Sequence, residues 1–95
     1  MLSEFTVDAQ APCIQGHFPG EPVVPGAWLL GHIEQQLRLV RPQAQLQRFN
    51  KVKFLAPLRP GEPATLQLDD SAWPRVKVRI RGPQGEVLQA SALMV

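Results

Sequence analysis

The sequence has one cysteine, Cys13, in 95 residues. That excludes an internal disulfide framework and fits a reducing, cytoplasmic compartment. No run approaches the ~18–20 apolar residues that a membrane span needs. The opening Met1-Leu2-Ser3-Glu4-Phe5 carries neither a basic region nor an apolar stretch, so no secretory signal is expected. Charge of one sign is scarce as well. Ten Lys and Arg stand against eight Asp and Glu, a net charge of +2. That balance permits an acidic partner but does not call for nucleic acid. Neither Gly-x-Ser-x-Gly nor a P-loop occurs, so a serine hydrolase and a P-loop nucleotide site lack support. There is no internal repeat, low-complexity tract or linker. At this length, with 44% hydrophobic residues, a single domain over residues 1–95 is expected. It sits at the small end of the size range, where self-association adds stability.

What the chain does have is proline, ten residues, about twice the usual share. The prolines lie between well-patterned segments. Glu4 to Ala9 alternates, with Phe5, Val7 and Ala9 on one face, and reads as a half-buried strand. Residues 10–26 read as an extended loop. From Ala27 to about Val40 the spacing is helical, with Leu30, Ile33, Leu37 and Val40 as the apolar stripe. Trp28 and Leu29 widen it, which predicts a helix buried on most sides. Pro25 suits the first turn, and Pro42 ends the helix. Four further strands follow. Gln45–Leu55 is irregular, with Val52 and Phe54 on one face and Phe49 out of phase, which predicts a bulge near Asn50. Ala64–Asp69 alternates with Leu66 and Leu68 inward. Arg75–Arg81 alternates with Val76, Val78 and Ile80 inward. Glu86–Val95 closes the chain, joined to the strand before it by the hairpin Gly82-Pro83-Gln84-Gly85. Arg59 to Pro63 is a turn. One long helix with about five antiparallel strands is an α+β layer arrangement.

The densest segment runs from Gly16 to Gly26, straight into the helix. Its prolines and glycines fix a loop that holds one imidazole, His17, suited to proton transfer at neutral pH. The loop ends at a helix N-terminus. There Gly26 lets a ligand approach backbone N–H groups that favour an anion or a polarised carbonyl oxygen. A base beside such a donor is what proton abstraction next to a carbonyl requires. The plainer alternative is a loop histidine among turn-forming prolines.

The run His17-Phe18-Pro19-Gly20, then Pro22, then Pro25-Gly26 opening an apolar helix, resembles the FabZ and FabA type (3R)-hydroxyacyl-acyl-carrier-protein dehydratases, a hotdog-fold family. Lys53-Phe54-Leu55-Ala56-Pro57-Leu58-Arg59-Pro60-Gly61-Glu62 resembles the strand and turn that follow the helix in that family. The last strand, with Ala90, Ala92 and Met94 on one face, agrees. The resemblance implies a hotdog domain, with about five strands wrapped around the helix. It implies chemistry without cofactor or metal. His17 would move the α proton of a 3-hydroxyacyl thioester, and Phe18 would flank the substrate. Gly26 would offer its N–H to the thioester carbonyl. Val23 would steady the histidine ring through its backbone carbonyl. The substrate would be an acyl thioester on acyl carrier protein or coenzyme A. The assembly would be a homodimer or larger, or a heteromer with a related hotdog protein.

The sequence departs from the family at the acid that helps the hydroxyl leave. That residue lies fourteen positions after the histidine, usually in the partner subunit's helix; here the position is Gly31. The family's helix glutamine, eighteen after the histidine, is present as Gln35. Glu34, one turn on from Gly31, is the candidate replacement, with Gly31 leaving it room. The alternatives are that Gly31 serves close packing and that Glu34 is a solvated or interface carboxylate. His32 points about 100° away from Gly31 around the helix. The family also carries a strand and helix ahead of the segment that begins here at Leu2. One edge of the sheet or tunnel is therefore expected to be open or covered by a partner. These departures keep two other readings alive: a non-catalytic auxiliary hotdog subunit, and a hotdog thioesterase.

Weaker signals remain. Cys13, His17, His32 and Glu34 match no zinc spacing. Cys13 reads as a small buried thiol rather than a nucleophile. Pro19, Pro22 and Pro25 resemble a polyproline ligand, although the helix that follows argues against one. Arg75, Lys77, Arg79 and Arg81 line one face of a strand. They read as a solvated face that discourages edge pairing or, with Arg38 and Arg41, as a dock for an acidic carrier protein. Without interleaved aromatics, nucleic acid is disfavoured.

Overall fold

The segments of period-two patterning form one antiparallel sheet in the computed structural model, which describes residues 1–12, 14 and 22–95. The elements are β1 (Leu2–Phe5), α1 (Gly26–Val40), β2 (Leu46–Phe54), β3 (Ala64–Ala72), β4 (Arg75–Gly82) and β5 (Gly85–Met94). The strand order is β1-β3-β4-β5-β2, with every neighbouring pair antiparallel. The chain therefore leaves the sheet at one edge and returns at the other. It spans the gap by laying α1 across one face. Leu66, Leu68, Val76, Val78, Ile80, Leu88, Ala92 and Met94 point from the strands into the layer beneath the helix and are buried.

The patterning located the three later strands well. The inward trio of β4 is buried as its alternation requires, and Gly82 pairs with Gly85 across the hairpin. One irregularity was not legible. Ile80 pairs with Leu88 but Arg81 with Glu86, so Val87 is an extra residue in β5. That bulge is why the adjacent Val87 and Leu88 are both buried. The bulge expected near Asn50 is present. The β2–β5 register slips between Asn50 and Lys53, and Lys51 takes a left-handed φ of 52°.

Two expectations are corrected. The first strand runs Leu2–Phe5, not Glu4–Ala9. Beyond Phe5 one tertiary bond and one local turn replace the ladder. The Val7 carbonyl accepts the Gly61 N–H at 2.8 Å, and the Asp8 carboxylate accepts the Gln10 N–H at 2.7 Å, closing a turn. The helix stripe is also displaced. The buried residues are Leu29, Ile33 and Leu37, each four apart, rather than Leu30, Ile33, Leu37 and Val40. Nor is the helix buried on most sides, since Ala27, Gly31, Gln35, Arg38, Leu39 and Val40 are exposed. Apolar residues at 28, 29, 30, 33, 37, 39 and 40 allow either stripe, and only packing on the sheet chooses between them.

Candidate functional site

His17 and Phe18, together with Cys13, lie outside the described residues. What the structure does place is the helix start toward which their loop runs. Pro25 is the N-cap, with φ −61° and ψ 142°, and supplies no side-chain cap. The first turn carries no acidic residue. No side chain of that turn therefore offsets the positive end of the helix dipole. Just ahead, the Val24 N–H donates to the Leu58 carbonyl at 2.7 Å, tying the approach to α1 to the β2–β3 connection.

Between those segments runs a groove of about 450 Å³. Val23, Val24 and Gly26 form one wall, Leu29 the back, and residues 54–58 the other wall. Its lining side chains are apolar, and it opens onto the bare helix terminus. Such a groove accepts a hydrocarbon chain with a polarised oxygen at its head. Gly26 and Val23, both expected at the site from the sequence, lie in it together.

Phe54 was not expected there. It is 54% exposed although its register with Leu88 puts it on the helix side of the sheet. Its ring lies over Gly26 so closely that a Cβ at position 26 would sit 2.7 Å from Phe54 Cζ. A side chain at position 26 would therefore have to displace the Phe54 ring. No local spacing links positions 26 and 54, so only the fold could reveal the pair.

The second half of the expected site lies elsewhere on α1. Gly31 is exposed, and a Cβ built there meets nothing within 4 Å. Close packing against the described residues does not explain it. Glu34 pairs with Arg38 at 2.8 Å and is 38% exposed. It lines a different groove with Arg38, Pro42, Ala44, Gln45 and Leu46. Gln35 is exposed. Within one chain, then, Gly31, Glu34 and Gln35 sit on the side of α1 away from its buried stripe and do not join the Gly26 groove.

His32 turns to another side. Its ring stacks on Trp28, with centroids 5.1 Å apart and planes 8° apart, and tilts against Phe5 at 4.4 Å. Its Nε2 is buried without a hydrogen-bond partner among the described residues, as is Ser3 Oγ. Burial pushes the imidazole pKa below its ordinary value. His32 and Glu34 therefore do not converge.

The basic residues divide into paired and unpaired sets. Arg79 and Arg81 both reach Glu86 Oε1, at 3.3 and 2.7 Å. Arg41 binds Asp70 at 2.8 Å and lies 4.5 Å over the Trp73 ring. The Arg41 hydrogen bond holds the Asp70 carboxyl below its usual range. Arg38 is held by Glu34. Among the described residues, the ion pairs leave Arg48, Lys51, Lys53, Arg59, Arg75 and Lys77 without a carboxylate partner. No helix there is long and apolar enough to cross a membrane.

A family model described as ApeI-like, ApeI dehydratase, matches residues 1–90. A 3-hydroxyacyl-[acyl-carrier-protein] dehydratase FabZ of Koribacter versatilis is 31% identical over 77 residues, 72% of this chain and 49% of that one. A FabZ of Syntrophobacter fumaroxidans is 34% identical over 71 residues, 65% of this chain and 48% of that one. The chain thus spans about half the length of these curated relatives. Among solved structures, the dehydratase heterocomplex ApeI:P of Xenorhabdus doucetiae aligns with TM-score 0.82 and 21% identity, over 98% of this chain and 84% of that one. An acyl-ACP thioesterase of Bacteroides thetaiotaomicron aligns with TM-score 0.74 and 14% identity, over 98% of this chain and 36% of that one. At these identities the structural matches speak for a shared hotdog fold.

Proposed function

The chain belongs to the ApeI-like dehydratase family, and on that footing we propose that it handles a 3-hydroxyacyl thioester and dehydrates it to the trans-2-enoyl thioester. The observation that carries this reading is the apolar groove of about 450 Å³ ending on the uncapped helix terminus at Gly26. The acyl chain lies along Val23, Leu29 and residues 54–58. The thioester carbonyl takes the backbone N–H of Gly26, where the helix dipole favours the negative charge that grows on oxygen as the α carbon loses its proton. His17 is the base. The electron pair left on the α carbon forms the new double bond as the C–O bond at the β carbon breaks. The hydroxyl leaves with a proton as water. The thioester is carried by acyl carrier protein or coenzyme A, and the chain works as a dimer or with a related hotdog subunit. Glu34 supplies the leaving proton to a neighbouring subunit's groove, since it does not line its own.

A second reading has its own observation. Gly31, standing where the acid is expected, is exposed and a Cβ there would meet none of the described residues within 4 Å, while Glu34 is paired with Arg38. That favours an auxiliary subunit that binds acyl chains and leaves the acid to a partner. The deciding experiment presents short and medium (3R)-hydroxyacyl thioesters, on carrier protein and on coenzyme A, to the purified protein. Enoyl product and free thiol are followed together, with His17→Ala and Glu34→Ala alongside. Enoyl product lost in both variants supports dehydration with Glu34 as acid. Loss with His17→Ala alone assigns the proton to water or another group. Ligand binding with neither product supports the auxiliary reading, and thiol release would move the activity to a thioesterase.

A further inference from the structure

Four of the six cations without an ion pair, Arg48, Lys51, Arg75 and Lys77, gather on the face of the sheet opposite α1. Arg48 pairs in register with Leu93 of β5, and Leu93 with Arg75 of β4. One step along, Asn50 pairs with Ser91, and Ser91 with Lys77. Two rows thus cross the three strands β2, β5 and β4, each ending on a cation on β4. The bulge after Asn50 adds Lys51, with its left-handed backbone, to the β2 end. Together these residues line a concavity of about 650 Å³ containing Arg48, Asn50, Lys51, Arg75, Lys77 and Ser91, and no carboxylate. On the neighbouring part of the same face Glu86 holds Arg79 and Arg81, and Asp69 stands beside Lys77 in register at the edge of the concavity.

We propose that this groove binds a compact polyanion bearing at least two phosphate groups. Cations on β2 and β4 are separated by one intervening strand, about 10 Å. An anion seated between them is reached from both strands. Two guanidinium groups and two ammonium groups match the donor chemistry of phosphate oxygens. Asn50 and Ser91, in the second row, supply neutral donors. The volume suits a small molecule seated among the cations, whereas an acidic protein face would need a broad convex or flat basic surface. The groove is on the opposite side of the sheet from the Gly26 groove, so this site does not depend on the acyl chemistry proposed above.

The test is calorimetric titration of the full chain with inorganic pyrophosphate, with adenosine 3′,5′-bisphosphate, and with an oligoglutamate peptide. Saturable binding of either phosphate ligand is expected, weakened about tenfold or more by Lys51→Ala/Arg75→Ala. It should be unchanged in Arg38→Ala, which removes a cation outside the groove. Arg75→Lys should weaken it also, since the bidentate fork is lost. Pyrophosphate binding as tightly as the nucleotide would mean that phosphates alone are read. Tighter nucleotide binding would assign the site to a phosphorylated nucleotide or a thiol that carries one. Absence of binding by both, equal binding of the peptide, or equal loss in Arg38→Ala would overturn the proposal. Circular dichroism of each variant excludes unfolding as the cause.

Discussion

The two sides of α1 obey different rules. On the inner side Leu29, Ile33 and Leu37 repeat every four residues and are buried against the sheet. On the outer side Ala27, Gly31, Gln35 and Arg38 are exposed, and Gly31 has space where a side chain would stand. The inner side is determined by this chain's own packing. The outer side contains a residue that this chain's packing does not explain. A glycine in a helix interior costs roughly 1 kcal/mol relative to alanine. Whatever favours Gly31 therefore lies outside its contacts with the described residues. The family resemblance puts the missing acid at that same position. The inner side is thus where this chain's stability is decided, and the outer side is where its own packing leaves a residue unexplained.

The largest effect should come from the inner side. Ile33 is fully buried at 0% exposure, so Ile33→Ala should cost about 2–5 kcal/mol in denaturant unfolding. A loss under 1 kcal/mol would mean that the core closes around the gap and that the distinction between the sides is weaker than the burial implies. Next comes the helix start. Gly26→Ala puts a methyl 2.7 Å from the Phe54 ring, and overpacking of this kind costs about 1–3 kcal/mol unless the ring swings away. Phe54 is exposed enough to swing. In a Phe54→Ala background the Gly26→Ala cost should therefore largely vanish, a coupling measurable by a double-mutant cycle. Equal costs in both backgrounds would show that the backbone, not the ring, resists the methyl.

Much of this was legible in the sequence, and the misses have physical causes. Strict alternation in Arg75–Arg81 located β4 and its inward trio, because each strand residue has only two faces to choose from. The helix was harder. Seven apolar residues among thirteen positions support more than one stripe, and the sheet chose Leu29 over Leu30 and left Leu39 68% exposed. The strand expected at Glu4–Ala9 was cut short by tertiary bonds from Val7 and by the Asp8 turn, neither of which alternation encodes. At the site, Gly26 and Val23 were readable from a motif contiguous in sequence. Phe54 was not, because its contact is made by folding alone. The partition of cations into those held by Glu34, Asp70 and Glu86 and those left in the groove depends on register, which composition does not carry.

The outer side gives a smaller prediction of opposite sign. Gly31→Ala meets no atom within 4 Å, so the isolated chain should gain up to about 1 kcal/mol. For a domain of this size that raises Tm by roughly 4–8 °C. If the protein is an oligomer and the outer side is covered, the same methyl should instead lower the melting temperature, more so at high protein concentration. The sign of the shift thus reports whether another chain packs on Gly31.

The smallest effect is the pH response of His32, at the margin between the two sides. Its ring is stacked on Trp28 with a buried, unpartnered Nε2, and its pKa is lowered by burial. The unfolded chain takes up the proton near the ordinary value of about 6.5, while the folded chain resists it. Between those two pKa values the unfolded state holds more protons, so stability rises with pH across the window and falls on acidification through it. Lowering the pH from 7.5 to 5 should therefore destabilise the protein slightly more than it does His32→Phe, which keeps a stacked ring without the titration. Asp69 and Asp70 do not confuse the comparison. Hydrogen bonds from the Ser71 and Arg41 N–H groups hold their carboxyls below the usual range. Their contributions are lost only as pH falls through those lower values, beneath the window. Identical pH profiles for the wild type and His32→Phe would mean that the imidazole reaches water in solution, and that the Trp28–His32–Phe5 stack is open rather than closed.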